Sequence, residues 1–194
     1  AEESGYPTRP IRVGDFEGEP DPHLWMDPRA ASAYIEVIAA ALVDLDPSGA
    51  DHYRSRAAAY QASLAALHDE LTERFAALSA ERRLLITSEA AFLYLADAYG
   101  FRHDGIWGSN AEQEGAPRQL MRVVDWVKEV QPGAIFWEST ISDRYVRSVA
   151  RETESTVAGP LYVDSLSRAD GPAGDYIRLM RHNADLIVRA LGDD

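Results

Sequence analysis

Three acidic side chains stand just past apolar runs: Glu89 after Leu84-Leu85-Ile86, Glu138 in GAIFWEST, and Asp164 in LYVDSLS. Each has a serine beside it, Ser88, Ser139 and Ser165. Carboxylates gathered at one rim repel, so they either raise a pKa for acid–base work or are neutralised by a bound cation. A cation calls for further donors. His23, in DPHLWMDP, is the best placed, because it lies between Pro22 and Pro28 on a stiff segment ahead of the first helix. His52 and His68 fall inside a helical pattern, His103 in the polar stretch FRHDG, and His182 beside Arg181, so these four read as solvated side chains. Glu89 taken alone has a plainer reading, as a first-turn acid favoured by the helix macrodipole by roughly 0.3 to 1 kcal/mol. Glu138 reads as a structural hydrogen-bond acceptor in preference to a group that orients a ligand.

The acids can meet only if the elements carrying them end together. After Arg83 the pattern alternates: a strand ending near Thr87, a helix to Tyr99, a short strand around Gly105 to Trp107, and a helix from Pro117 to Val130. GAIFWEST is the third strand, followed by a helix from about Ser142 to Glu152, a fourth strand in TVAGPLYVDSL, and a last helix from about Gly174 to Leu191. Such βαβ alternation implies an α/β fold: a four-stranded, mainly parallel sheet flanked by helices, whose carboxyl-end crevice is where ligands bind. Glu89, Glu138 and Asp164 all stand at those exits.

Upstream, residues 1 to 22 are rich in Gly, Pro and acids and read as an extended or loop segment. Asp27 is a candidate helix cap with Pro28 at the first helical position, and Tyr34, Ile35, Ile38, Leu42 and Leu45 carry a helix to about Asp46. Pro47 opens a longer one. Its stripe of Tyr53, Ala57, Tyr60, Leu64, Leu67, Leu71, Phe75 and Leu78 predicts a helix on the order of 45 Å long, a strut between two lobes. The chain thus divides into residues 1–46, a linking helix over 47–79, and an α/β lobe over 80–194.

The 194 residues carry a net charge of −13, with 32 acids against 19 Lys and Arg and no basic cluster to track a phosphate backbone, which argues against a nucleic-acid partner. There is no cysteine, so disulfides, thiolate metal sites and cysteine nucleophiles are excluded. No apolar stretch approaches the ~20 residues that span a bilayer. The first residues lack a signal-peptide pattern, so any targeting segment is expected to have been removed.

DPHLWMDP, ITSEAAFLYLADAYG, AEQEGAP, IFWEST and LYVDSLS occur in this order. Together they resemble the TroA-like solute-binding proteins of ABC importers for manganese, zinc or iron, over a span from about Asp21 to the carboxyl terminus. The resemblance implies a metal held between two α/β lobes by four side chains, of which three positions match: His23, Glu89 and Asp164. It implies an extracytoplasmic protein that delivers the ion to an ABC permease, a monomer whose membrane association, if any, is peripheral or through a lipid anchor. Zinc-type members tend to carry histidine where this chain has Glu89, and oxygen donors suit Mn2+ or Fe2+ more than Zn2+, which favours manganese. One neutral imidazole and two carboxylates also balance a dication, so the loaded cluster can be buried. The chain departs from the family at its start: residues 1–22 hold no histidine and are too few for a full amino-terminal lobe, so residues 1–46 read as a remnant of that lobe. A site of three protein ligands with an open position is also how a catalytic zinc is built, which makes a metallohydrolase the rival. Against it, no general base beyond Glu138 and no HExxH-type pair is present.

Overall fold

The computed structural model describes residues 2–109 and 115–192, so most of the AEQEGAP motif lies outside the described residues. The fold is α/β. β1 (Leu84–Glu89) pairs in parallel with β2 (Arg102–Trp107), and β3 (Ala134–Glu138) with β4 (Thr156–Leu161). Each parallel pair needs a crossover, supplied by α3 (Leu93–Tyr99) and α5 (Arg144–Thr153), while α4 (Pro117–Val130) joins the pairs. β1 lies against β3, giving the spatial order β2-β1-β3-β4.

The expected single sheet is in fact two hydrogen-bonded pairs side by side. At the end of the inner seam the Glu89 N–H is taken by the Glu138 side chain at 3.2 Å, where a ladder carbonyl would otherwise accept it. β3 also shifts register against β4 between Phe136 and Glu138.

Alternation along the strands builds a core on each face. Leu85 and Phe136 join Phe92, Leu161, Met180 and Ile187 on one side, with Leu71 and Phe75 of α2 (Ala50–Ala76) and residues of α6 (Tyr176–Leu191). Ile86 and Ile135 join Trp107, Val123, Val127, Val146 and Val149 under α4 and α5 on the other. Each such side chain contributes roughly 1.5–3 kcal/mol of burial, so the strand exits are fixed from both sides. His103 is a correction: the stretch read as a polar turn is the start of β2, paired residue for residue with β1 from Leu84 and Arg102 onward. Its polar composition hid a strand edge.

α1 (Pro28–Leu45) begins as expected, with the Asp27 carboxylate accepting from the Arg29 N–H at 2.8 Å and Pro28 in the first turn. A 3-10 turn at Pro47–Gly49 leads into α2, whose 27 residues span about 40 Å. Only its second half is buried. Leu64, Leu67, Leu71 and Phe75 enter the core, whereas Tyr60 stays 36% exposed and the facing Ile38, Leu42 and Leu45 of α1 are 52%, 39% and 84% exposed. The stripe is continuous in sequence, and α1 packs beside it without covering its first half.

The amino-terminal segment closes on itself. Ile11 N–H bonds Glu19 O at 2.8 Å, Gly18 N–H bonds Ile11 O at 2.9 Å and Asp21 N–H bonds Arg9 O at 2.8 Å. Arg9 N–H also reaches the Tyr94 hydroxyl at 2.8 Å. Val13 passes so close to Gly108 that a Cβ there would overlap its carbonyl oxygen. This loop, anchored on α3 and the end of β2, delivers Asp21 and His23 to the sheet edge.

Candidate metal centre

His23 stands just ahead of a 3-10 turn at Leu24–Met26, whose Leu24 and Met26 are fully buried and hold it in place. Asp21 governs the ring. One oxygen, Oδ1, accepts both the His23 main-chain N–H at 2.8 Å and Nδ1 at 2.9 Å. A carboxylate can only accept, so Nδ1 carries the proton, and in the neutral ring the Nε2 lone pair faces away from Asp21. Nε2 lies 3.8 Å from Glu89 Oε1 and 3.7 Å from Asp164 Oδ1.

The supports of this ring are themselves tied down. Tyr94 hydroxyl donates to Asp21 O at 3.1 Å. The Trp25 indole, edge-on to the His23 ring at 5.3 Å, donates Nε1–H to Val163 O at 3.2 Å, and Tyr176 hydroxyl donates to Trp25 O at 2.7 Å. The second bond couples the histidine segment to the residue before Asp164. Glu89 is placed by the last position of β1, where its own C=O accepts from Thr87 Oγ1 at 2.5 Å and the next N–H, of Ala90, bonds Trp107 O at 2.9 Å.

One donor atom each from His23, Glu89 and Asp164 falls within 4.8 Å of the others. Donors about 2.1 Å from a tetrahedral ion lie roughly 3.4 Å apart, so the two His23 distances need only a few tenths of an ångström of closure. The donor set therefore fits a divalent cation. Its side chains are 6%, 2% and 30% exposed for His23, Glu89 and Asp164, which leaves the site open chiefly along Asp164. Burial opposes a charge on His23, but the Asp21 hydrogen bond and the nearby Asp21, Glu89 and Asp164 carboxylates outweigh it and raise its pKa above 6.5. The three carboxylates thus favour a positive charge at Nε2.

Glu138 is fully buried, and burial pushes its pKa up to about 8. It does not join the three donors; it accepts from the Glu89 main chain. Of the remaining histidines only His52 stays at the surface. His103 Nε2 lies 3.1 Å from Thr87 Oγ1, and burial lowers its pKa. His68 Nδ1 lies 3.1 Å from Tyr99 hydroxyl, and His182 Nε2 donates to Pro160 O at 3.2 Å, so both are structural partners and not the solvated groups their sequence neighbours suggest. Sequence reasoning missed Asp21. Its signal was the Asp-Pro-His spacing, since an acid two residues ahead of a histidine can bond both its main chain and its ring.

Known proteins resemble this chain in sequence and fold. The chain is 44% identical over 97% of its length to the iron-binding protein YfeA of Yersinia pestis, and 37% identical over 88% to the manganese-binding lipoprotein MntA of Halalkalibacterium halodurans. It covers 61% and 57% of those two relatives. Among solved structures, the manganese-bound periplasmic metal-binding protein of candidatus liberibacter asiaticus matches 95% of this chain with a TM-score of 0.85 at 37% identity, the chain covering 68% of it. The periplasmic zinc-binding protein TroA of Treponema pallidum matches 90% with a TM-score of 0.86 at 29% identity, the chain covering 65% of it. A family model described as ZnuA, zinc-uptake complex component A, periplasmic, matches residues 2–190, and the chain therefore belongs to that family of metal-binding proteins.

Proposed function

We propose that His23, Glu89 and Asp164 are the ligands of a divalent transition metal, which the protein captures outside the cytoplasmic membrane and delivers to an ABC permease. The observation that carries this is the convergence of the three donor atoms within 4.8 Å, from segments 66 and 75 residues apart in sequence (89 − 23 and 164 − 89). The relatives named above support it, since their names record iron, manganese and zinc binding. Manganese is the cargo favoured by one nitrogen and two carboxylate donors, with ferrous iron and zinc as alternatives. Water or another protein group completes the coordination. Binding, not catalysis, is the work of this site: a metallohydrolase has no counterpart among the relatives named above.

In this reading residues 1–46 contribute the imidazole, residues 80–194 the two carboxylates, and residues 47–79 form the helix that links them. Loading then ties the first segment to the α/β lobe, and removing the ion restores the repulsion between the acids. Titration of the chelator-stripped protein with Mn2+, Zn2+ and, without oxygen, Fe2+ tests the proposal by calorimetry. One equivalent should bind, zinc more tightly than manganese by the usual order for such donors. Binding that persists unchanged in both Glu89→Ala and Asp164→Ala would overturn it.

A further inference from the structure

Glu138 is a buried acid that the three-donor site does not use. It ends β3, is 0% exposed, and lies beside Ser88 and Glu89 where β3 meets β1. A strand seam needs an acceptor for each inward N–H, and main-chain carbonyls normally provide them. Here a side chain, that of Glu138, accepts the N–H of Glu89.

Both peptide groups of Glu89 are consequently held by side chains. Its N–H is held by Glu138 Oε1 at 3.2 Å, and its C=O by Thr87 Oγ1 at 2.5 Å. Glu138 is in turn fixed by its own main chain, since Ile141 N–H bonds Glu138 O at 3.1 Å and Ser139 N–H bonds Leu161 O at 2.8 Å. With N–H and C=O pinned, the direction of the Glu89 Cα–Cβ bond is set, and with it the reach of the carboxylate toward His23 Nε2. A shift of about 1 Å in a supporting group is enough to loosen such a site.

We infer that Glu138 is a positioning residue for the metal: it holds the Glu89 main chain so that the Glu89 carboxylate faces His23, without ligating the ion itself. The inference rests on the metal-capture reading above. It separates two properties that a space-filling acid would not, because an acceptor for the Glu89 N–H is needed for affinity whereas a charge on Glu138 is not.

The test compares Glu138→Gln, which keeps an acceptor oxygen, with Glu138→Met, which keeps the length and removes it. Mn2+ affinity is measured by calorimetry, the ligand geometry by the electron paramagnetic resonance spectrum of bound Mn2+, and the stability of the metal-free protein by urea unfolding. Glu138→Gln should bind Mn2+ within about threefold of the parent with the same spectrum, and Glu138→Met should bind about 10–100-fold more weakly with an altered one. Should the methionine variant fail to fold, Glu138→Asp, which withdraws the acceptor by one methylene, is expected to show the same weakening. Parent affinity and spectrum in Glu138→Met or Glu138→Asp, whatever the unfolding curve, would overturn the inference. A glutamine variant as weak as the methionine one would also overturn it, pointing to Glu138 as a ligand. Failure of the parent protein to bind Mn2+ at all would instead sink the metal-capture reading.

Discussion

Replacing Glu89 by glutamine should abolish metal-induced stabilisation and yet leave the metal-free protein as stable as the parent, or more so. The Glu89 and Asp164 oxygens lie no farther apart than 4.8 Å, which at an effective dielectric of ~20 is a repulsion of about 3.5 kcal/mol. Asp164 is 30% exposed, and water there reduces the figure to on the order of 1–3 kcal/mol. Opposing it is the attraction of Glu89 for a protonated His23 at 3.8 Å, about 4 kcal/mol on the same scale and also screened. The two nearly cancel while His23 is charged. Because the folded His23 pKa is raised above 6.5, the attraction is fully present below that value and is lost as pH rises through the folded pKa. Glu89→Gln should therefore be near-neutral at about pH 6 and stabilising by about 1–3 kcal/mol on the alkaline side of the His23 titration. The assay is urea unfolding of chelator-treated protein across that pH range, with and without Mn2+. The reasoning is refuted if the variant loses several kcal/mol at alkaline pH without metal, or if Mn2+ stabilises it as much as the parent.

Three further outcomes follow from the same geometry. Asp21→Ala removes both bonds that set the His23 ring, and should weaken Mn2+ binding about 10–100-fold while lowering the His23 pKa, read by calorimetry and by proton NMR titration of the ring. Gly108→Ala forces the Val13 carbonyl and its loop away from β2, and should cost about 1–3 kcal/mol in urea unfolding. Burial raises the Glu138 pKa from 4.5 to about 8, so its neutral form contributes stability below the unfolded value that is lost as pH rises through about 8. Glu138→Gln should flatten that part of the stability–pH curve of the metal-free protein, and an unchanged slope would contradict the assignment.

What could be read from the residues follows from how local each signal is. Asp27 and Pro28 announce α1 because a cap and a first-turn proline act within a few residues, and the apolar runs Leu84–Ile86 and Ala134–Phe136 announce strands buried on both faces. Glu89 and Asp164 could be singled out as candidates because strand exits share an edge whatever their separation in sequence. The strand position of His103 could not be read in this way, since Arg102 to Asp104 is a polar strand edge whose pairing with β1 is a tertiary fact. How much of the α2 stripe is covered was not legible for a related reason: periodicity tells which residues face one way, and only packing decides whether anything covers them. Glu138 acts through a single hydrogen bond to the Glu89 main chain, and no spacing rule encodes a bond of that kind across 49 residues.

The most direct measurement is a crystal structure of the protein loaded with Mn2+, with the ion located by its anomalous scattering. A single site about 2.0–2.3 Å from His23 Nε2 and from one oxygen each of Glu89 and Asp164, with Glu138 still on the Glu89 N–H, is the predicted result. An ion bound elsewhere, or bound with the His23 ring turned away from the two carboxylates, would contradict the account.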